Sequence, residues 1–191
     1  IATTGLRAET APAAASEAWP LKAGAFRIAD FGTNLTGFIG LRVRCREATR
    51  LFLAFDEILT EGDVDFKRLG CVNVVSCEFA PGEYTFESFE PYTLRYLKLL
   101  GLTGDCEISA VQLREYASPI PAAAHFLAGD ERLNRLFAAG VETFRQNALD
   151  VFMDCPSRER AGWLCDSYFT ARVGKDLLGD AAIERNLFEN Y

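Results

Sequence analysis

The densest group of residues able to do chemistry lies at positions 154–166, which read DCPSRERAGWLCD. The stretch combines three carboxylates with two arginines and a tryptophan, and Pro156 and Gly162 disfavour helix across it. Cleavage of a glycosidic bond uses such a set, because one carboxylic acid protonates the departing oxygen while other carboxylates hold sugar hydroxyls. An arginine can orient these groups through its fork of donors. The loop is therefore a candidate site for carbohydrate chemistry.

The same residues also fit a purely structural role. Asp166 can serve as the N-cap of a following helix, and Asp154 can accept hydrogen bonds within a turn. Glu159 between its two flanking arginines can belong to a solvated charge network, and Trp163 can be a core residue. Residue types and spacing alone leave both interpretations open.

Charge and histidine content exclude several classes of protein. The chain of 191 residues carries 20 basic and 27 acidic side chains, a formal charge of −7, which argues against non-specific binding to nucleic acid or to anionic membrane surfaces. His125 is the one histidine, so a Ser-His-Asp triad elsewhere or an HExxH zinc site cannot form. Any catalysis must then use carboxylates, thiols or lysines, and we expect neither a metal nor a cofactor.

The six cysteines show no CxxC pair and no disulfide-rich spacing. A chain of this length can bury a hydrophobic core without disulfide bonds. We therefore interpret most of the thiols as small buried hydrophobic side chains in a reducing compartment. This predicts a cytoplasmic protein, with secretion as the alternative. The oligomeric state is left open, a homo-oligomer included.

The hydrophobic pattern divides the chain into three parts. Residues 1–25 are rich in alanine, lack periodicity and predict a linker or the tail of an upstream domain. Residues 26–117 show short runs of period two between turn signals, as in Leu41, Val43 and Cys45, and predict an antiparallel β-sandwich. The prolines near residue 120 mark a boundary, and residues 118–191 carry a helical period.

Two helices are predicted in the last part. Asp130 is a plausible N-cap for the first helix, which should run to about Phe152. The second helix should begin near Asp166 and contain Glu184 and Glu189. The side chains expected on the buried faces of the two helices are Leu133, Leu136, Phe137, Val141, Phe144 and Ala148 in the first, and Phe169, Val173, Leu177 and Leu178 in the second.

An acidic cluster lies within the sandwich region, at Asp56, Glu57, Glu61, Asp63 and Asp65. Its spacing does not fit an EF-hand calcium loop. We therefore expect a solvated hairpin there.

Three motifs resemble the bacterial α-L-rhamnosidases of glycoside hydrolase family 78. Residues 154–166 match that family's D-C-P-x-R-(D)-E-R-x-G-W-x-x-D signature. Residues 30–37, DFGTNLTG, resemble the D-F-G-x-N-x-x-G opening of the preceding sandwich, and residues 89–96, FEPYTLRY, resemble its closing strand. In that closing strand Thr93-Leu94 replaces the usual Gly-Phe.

The resemblance implies a fold and a set of roles. The fold is a concanavalin-like antiparallel β-sandwich followed by the first helices of an (α/α)6 barrel. Glu159 would be the general acid of an inverting hydrolysis of terminal α-L-rhamnosides. The residues that would bind the rhamnose are Asp154, Arg158, Trp163 and Asp166.

The resemblance further implies a base and a longer barrel. The base that activates water would be a glutamate beyond Tyr191, so we expect the chain to be catalytically incomplete without the remainder of the barrel. The rival hypothesis is a non-catalytic module whose sandwich binds carbohydrate or braces a neighbouring domain.

Overall fold

The computed structural model describes residues 10–12, 18–118 and 125–190, with side chains described from residue 18 onward. The chain divides into two units, Ile1–Glu115 and Tyr116–Tyr191. The prolines at the predicted boundary and most of the predicted linker lie outside the described residues. Within the described part, no helix is both long and apolar enough to span a bilayer.

The first unit is built around one long bent strand, β3. The strands in chain order are β1 Thr10–Pro12, β2 Trp19–Leu21, β3 Phe26–Cys45, β4 Thr49–Asp56, β5 Val74–Phe79, β6 Gly82–Glu87, β7 Tyr92–Thr103 and β8 Cys106–Glu115. The first half of β3 pairs with β7 and, in parallel, with β1, whereas the second half lies between β6 and β8 in antiparallel pairing.

The bend in β3 falls between Asp30 and Leu35, where the pairing register with β7 shifts. Gly32 there has φ of 81°, a left-handed conformation that suits glycine, and its amide donates to Asp30 Oδ1 at 2.7 Å. The bend carries β3 from one layer of strands to the next. A single hydrophobic cluster contains side chains from β2, β8 and the second half of β3 together with β4, β5 and β7, so the layers form a β-sandwich.

The predicted alternation along the strands is confirmed. Leu41, Val43 and Cys45 are at most 4% exposed, and the residues between them are exposed. The linker prediction for residues 1–25 is wrong at β1 and β2, which belong to the sheet. Strand β2 buries Trp19 and Leu21 around an exposed Pro20, and three residues are too few for a period to be recognised.

The acidic cluster is a solvated hairpin only in part, since Thr60 and Asp63 form an antiparallel bridge and Glu61 and Asp65 are exposed. Asp56 is 1% exposed and accepts two hydrogen bonds from Arg68, at 2.6 and 2.7 Å. Asp63 accepts two from the buried Lys98, at 2.6 and 2.8 Å. The segment covers a second hydrophobic cluster that includes Val64. The prediction failed for Asp56 and Asp63 because the neutralising cations lie outside the cluster, and local spacing does not reveal them.

Two of the family-like motifs meet in an ion pair at the bend of β3. Arg95 Nε and Nη2 donate to Asp30 Oδ1 and Oδ2 at 2.8 and 3.0 Å. These hydrogen bonds from Arg95 hold the pKa of the Asp30 carboxyl below its usual value, against the opposing effect of burial. The pair is a fork-to-fork contact between residues 65 positions apart.

Asp30→Asn should therefore destabilise the protein at neutral pH, by about 1 kcal/mol or less because the pair is partly exposed. A depressed native pKa contributes stability above the unfolded-state pKa, and that contribution is lost as the pH falls through the native value. The difference between variant and wild type should therefore shrink as acid protonates Asp30 in the folded protein. Urea unfolding at neutral pH and at a series of acidic pH values measures it. In a double-mutant cycle, Arg95→Gln should cost little more once Asp30 is replaced, and simple additivity would contradict the coupling.

The second unit contains three helices, α1 Glu131–Asn147, α2 Leu164–Leu178 and α3 Ala182–Glu189. Asp130 is the N-cap of α1, as predicted, and accepts from the Arg132 amide at 2.9 Å. Helix α1 ends before Phe152, because the chain turns back in a short antiparallel bridge between Ala148 and Phe152. Gly179, with φ of 74°, ends α2.

Helix α3 is a separate helix, which corrects the prediction of one long second helix. It carries Glu184 and Glu189. The unit has a small core made of Phe144, Ala148, Phe152, Leu177, Ile183 and Leu187. Four side chains predicted to be buried are instead exposed, by 48% to 69%: Leu133, Leu136, Phe169 and Val173.

Candidate active site

The core of the helical unit anchors the loop at residues 154–166. Phe152 and Met153 are buried immediately before the loop, and the Met153 amide donates to Asn147 O at 3.0 Å. Ser167, buried just after it, donates through Oγ to Phe152 O at 3.4 Å. Two backbone oxygens, those of Asn147 and Phe152, therefore accept the hydrogen bonds that hold the residues on either side of the loop. Ser167 was not among the predicted site residues, since its role depends on a contact 15 positions away.

The middle of the loop is closed by Asp154. The Asp154 amide donates to Ala161 O at 3.0 Å, and the Ala161 amide donates back to Asp154 Oδ1 at 2.9 Å. Partial burial acts to raise the pKa of the Asp154 carboxyl, but hydrogen bonds from Ala161 and Cys155 outweigh it and hold that pKa below its usual value. Asp154 therefore has the turn-accepting role that the structural interpretation allowed, and its rhamnose-binding role stays a prediction.

Removing this carboxylate should loosen the loop. In Asp154→Ala the Ala161 amide loses its side-chain acceptor, so its hydrogen exchange should accelerate by roughly fivefold, the equivalent of about 1 kcal/mol for a neutral-donor hydrogen bond. Asp154→Asn keeps an oxygen acceptor and should restore most of the protection. Amide exchange followed by NMR measures both. Equal exchange in the wild type and Asp154→Ala would contradict the closing role.

Glu159 is held by donors on both carboxylate oxygens. Arg158 Nη2 donates to Oε1, and Trp163 Nε1 donates to Oε2 at 2.7 Å. The backbone is fixed as well, since the Glu159 amide contacts Cys155 Sγ at 3.2 Å and the next residue, Arg160, has φ of 52°. The Glu159 side chain remains 36% exposed. The structure thus brings three of the predicted site residues together and presents the carboxylate to solvent.

Trp163 and Asp166 do not occupy the places that the structural interpretation gave them. Trp163 is 52% exposed and is not a core residue. Trp163 also stands at the N-cap position of α2, without a side-chain cap, so Asp166 is not the cap. Asp166 lies in the first turn of α2, where the helix dipole favours a negative charge, and it is exposed. Among the described residues, it forms no ion pair.

Gly162 allows the loop to pack closely on α3. A Cβ at this position would lie 2.8 Å from Leu187 Cδ1 and 3.5 Å from Val151 Cβ. Close packing therefore explains why a glycine suits this position of the motif, and the sequence pattern alone did not show it.

The thiols and carboxylates of the described ranges form no metal centre. All six cysteines are free, and Cys45, Cys77 and Cys106 are buried in the sandwich. Burial raises the pKa of the Cys77 thiol to about 11. Across residues 18–118 and 125–190, no three His, Cys, Asp or Glu side chains are grouped to hold a metal ion.

Comparison with known proteins links the helical unit to a glycosidase domain. Residues 121–190 match the bacterial alpha-L-rhamnosidase 6 hairpin glycosidase domain. The α-L-rhamnosidase of Formosa agariphila is 24% identical over 151 residues, which are 74% of this chain and 16% of the relative. That of Alteromonas sp. (strain LOR) is 26% identical over 147 residues, 73% of this chain and 16% of the relative. The chain thus spans about one sixth of each curated relative.

Solved structures match both units in succession. The GH78 family rhamnosidase of Bacillus sp. GL1 superposes with a TM-score of 0.73 at 26% identity, covering 84% of this chain and 17% of that one. A Klebsiella oxytoca rhamnosidase superposes with a TM-score of 0.72 over 88% of this chain and 36% of that one, and its 20% identity supports the fold alone. An antiparallel β-sandwich followed by three helices is the arrangement that the chain shares with these rhamnosidase structures. Together the comparisons relate the chain to the α-L-rhamnosidases of glycoside hydrolase family 78.

Proposed function

We propose that this chain carries the general acid of an inverting α-L-rhamnosidase, and that Glu159 is that acid. The observation that carries the proposal is the position of its carboxylate, solvent-facing and fixed by Arg158 and Trp163 on a loop inside the family-matched region. The reaction breaks the bond between the rhamnose anomeric carbon and the departing oxygen. Glu159 gives its proton to that oxygen while water adds to the anomeric carbon from the opposite face.

Arg158 connects substrate binding with proton donation in this proposal. The carboxyl oxygen that gives the proton must face the departing oxygen, and a neighbouring donor on that same oxygen competes for the space. In the structure both oxygens of Glu159 accept a hydrogen bond. The Arg158 side chain is 54% exposed and can turn toward a rhamnose hydroxyl, which frees Oε1 to carry the proton. Trp163 keeps Oε2 in place while this happens.

The other proposed roles follow from what each residue has available. Trp163 presents half of its ring to solvent and can cover the apolar face of the sugar. Asp166 offers an exposed carboxylate to the sugar hydroxyls, and Asp154 offers a partly buried carboxylate that the loop holds in place through Ala161.

The three helices are proposed to be the opening hairpins of an (α/α)6 barrel. Apolar side chains on all three helices support this, because Leu136, Phe169 and Phe188 are 63% to 69% exposed and further hairpins would cover them. The base that activates water is proposed to lie on one of those hairpins. Neither Glu184 nor Glu189 is assigned to it, because both lie on α3.

The test of the reaction class is the stereochemistry of the first product. The natural full-length protein should release rhamnose from an aryl α-L-rhamnoside, and proton NMR should show β-rhamnose as the anomer formed first. An aryl α-D-mannoside of the same leaving group serves as the control substrate and should be left intact. Initial release of the α anomer would contradict inversion, and absence of release would contradict the proposed activity.

A further inference from the structure

A polar groove crosses the outer face of one layer of the sandwich, on strands β3, β6 and β8. Its volume is about 510 Å³. Its polar lining residues include Arg42, Arg44, Glu83, Thr85, Glu107 and Ser109. No residue of the proposed acid loop is among its lining residues, because the groove lies in the first unit.

Strand pairing arranges these side chains in two rows. In one row Arg44 stands between Glu83 and Glu107. Arg44 Nη2 lies 2.6 Å from Glu83 Oε1, and Arg44 Nη1 lies 3.7 Å from Glu107 Oε2. Arg46 adds a second contact to Glu107, at 3.6 Å. The two glutamates and these two arginines balance each other, so this row carries no unmatched charge.

The neighbouring row leaves one cation without a counter-charge. Arg42 is exposed and is paired across the strands with Thr85 on β6 and Ser109 on β8. Hydroxyl groups can hydrogen-bond to a ligand, but they cannot neutralise a guanidinium. Within the described residues, Arg42 forms no ion pair. The groove therefore holds a single uncompensated positive charge flanked by two hydroxyls.

A β-bulge brings the β8 hydroxyl onto this face. The register between β3 and β8 shifts between Gly40 and Arg42, and Ala110 has φ of 50°, which is strained for a residue other than glycine. Without the bulge, side chains three positions apart on β8 would point to opposite faces. With it, Ser109 and Gln112 lie opposite Arg42 and Gly40, which share a face of β3. The strained residue thus places Ser109 beside Arg42.

We propose that this groove binds the carboxylate of an acidic sugar residue in a glycan. A carboxylate carries one negative charge and two coplanar oxygens, which match one guanidinium fork. The Thr85 and Ser109 hydroxyls are placed to hydrogen-bond to ring hydroxyls of the same sugar. The binding site gives the sandwich a function of its own, and it does not depend on the role of Glu159.

The experiment is an NMR titration of the whole chain with D-glucuronate, with neutral D-glucose as the matched ligand. Glucuronate should give saturable shifts at amides near Arg42, Thr85 and Ser109, and glucose should give none at the same concentration. Arg42→Gln should weaken binding by roughly tenfold or more, since it removes a charge-assisted bidentate contact. Arg42→Lys keeps the charge without the fork and should bind at an intermediate strength.

Arg50→Gln is the matched control, because it removes the same charge from strand β4 and Arg50 does not line this groove. It should bind glucuronate as the wild type does. Circular dichroism confirms that each variant is folded. Equal shifts with glucose, unchanged binding in Arg42→Gln, or no saturable binding would each overturn the proposal. Tighter binding of glucose 6-sulfate than of glucuronate would overturn the assignment to a carboxylate.

Discussion

Glu159→Gln in the natural full-length protein is expected to lower kcat on rhamnosides with poor leaving groups by about 10²–10⁴-fold, the usual contribution of a general acid. Glutamine keeps the shape of the side chain, and its single oxygen can still accept from either Arg158 or Trp163. It has no acidic proton to give to the glycosidic oxygen. The change therefore removes proton donation together with one of the two hydrogen bonds that hold the side chain, and the dependence on the leaving group separates the two effects.

The leaving group distinguishes an acid from a structural residue. A dinitrophenyl rhamnoside departs without protonation, so Glu159→Gln should lose far less activity on it than on an alkyl rhamnoside. A residue that only positions the loop would lower both rates together. Steady-state kinetics over a series of aryl and alkyl rhamnosides measures this. Glu189→Gln is the matched control, since it makes the same chemical change at an exposed position at the end of α3 and should leave both rates unchanged. A uniform loss across the series in Glu159→Gln would rule out the acid role.

Phe152→Ala in this 191-residue chain should destabilise the helical unit by about 3–5 kcal/mol, as expected for removal of a fully buried aromatic ring. Phe152 is 0% exposed, and its ring centroid lies 6.1 Å from that of Phe144. The ring also covers Gly174 of α2, where an added Cβ would lie 3.4 Å from Phe152 Cζ. Its loss leaves a cavity between α1 and α2 directly before the candidate site.

Urea unfolding followed by the helical circular dichroism band measures this loss. Phe188→Ala is the matched control, because Phe188 is 69% exposed on α3 and its truncation should change stability by less than about 0.5 kcal/mol. Phe152→Ala should also speed hydrogen exchange of the Ala161 amide, since the loop begins directly after this residue and loses the packed core that supports it. A similar loss in both variants would mean that burial at position 152 is not the cause.

Local patterns were sufficient for much of the fold. The two-residue period predicts the strands on which Leu41, Val43 and Cys45 are buried, because successive side chains of a strand point to opposite faces. The N-cap at Asp130 is a contact within two residues, so its signal is entirely local. Patterns of this kind fail at β2, because three residues are too few to show a period. They also fail at the exposed apolar faces of α1 and α2, because a helical period shows that a helix is amphipathic but does not show what packs against its apolar face.

The candidate site was predicted in part. The sequence placed the carboxylates, arginines and tryptophan in one loop, and the family resemblance singled out Glu159. The structure shows which contacts these residues make: Asp154 closes the loop, and Arg158 and Trp163 hold Glu159. Residue types alone could not predict these contacts, because the contacts depend on the path of the backbone around Arg160, which has a positive φ.

By itself, the sequence determined the order of a β half and an α half, the periods of their elements and the residue types in the loop, because these are properties of neighbouring residues. Only the tertiary structure decided which charges meet. Asp30 and Arg95 are 65 residues apart, and Asp63 and Lys98 are 35 apart. Arg42 differs from Arg44 only in what two other strands place beside it. Such pairings follow from strand register and from the way the chain reverses direction. The sequence around each residue has no periodic pattern that would predict its distant partner.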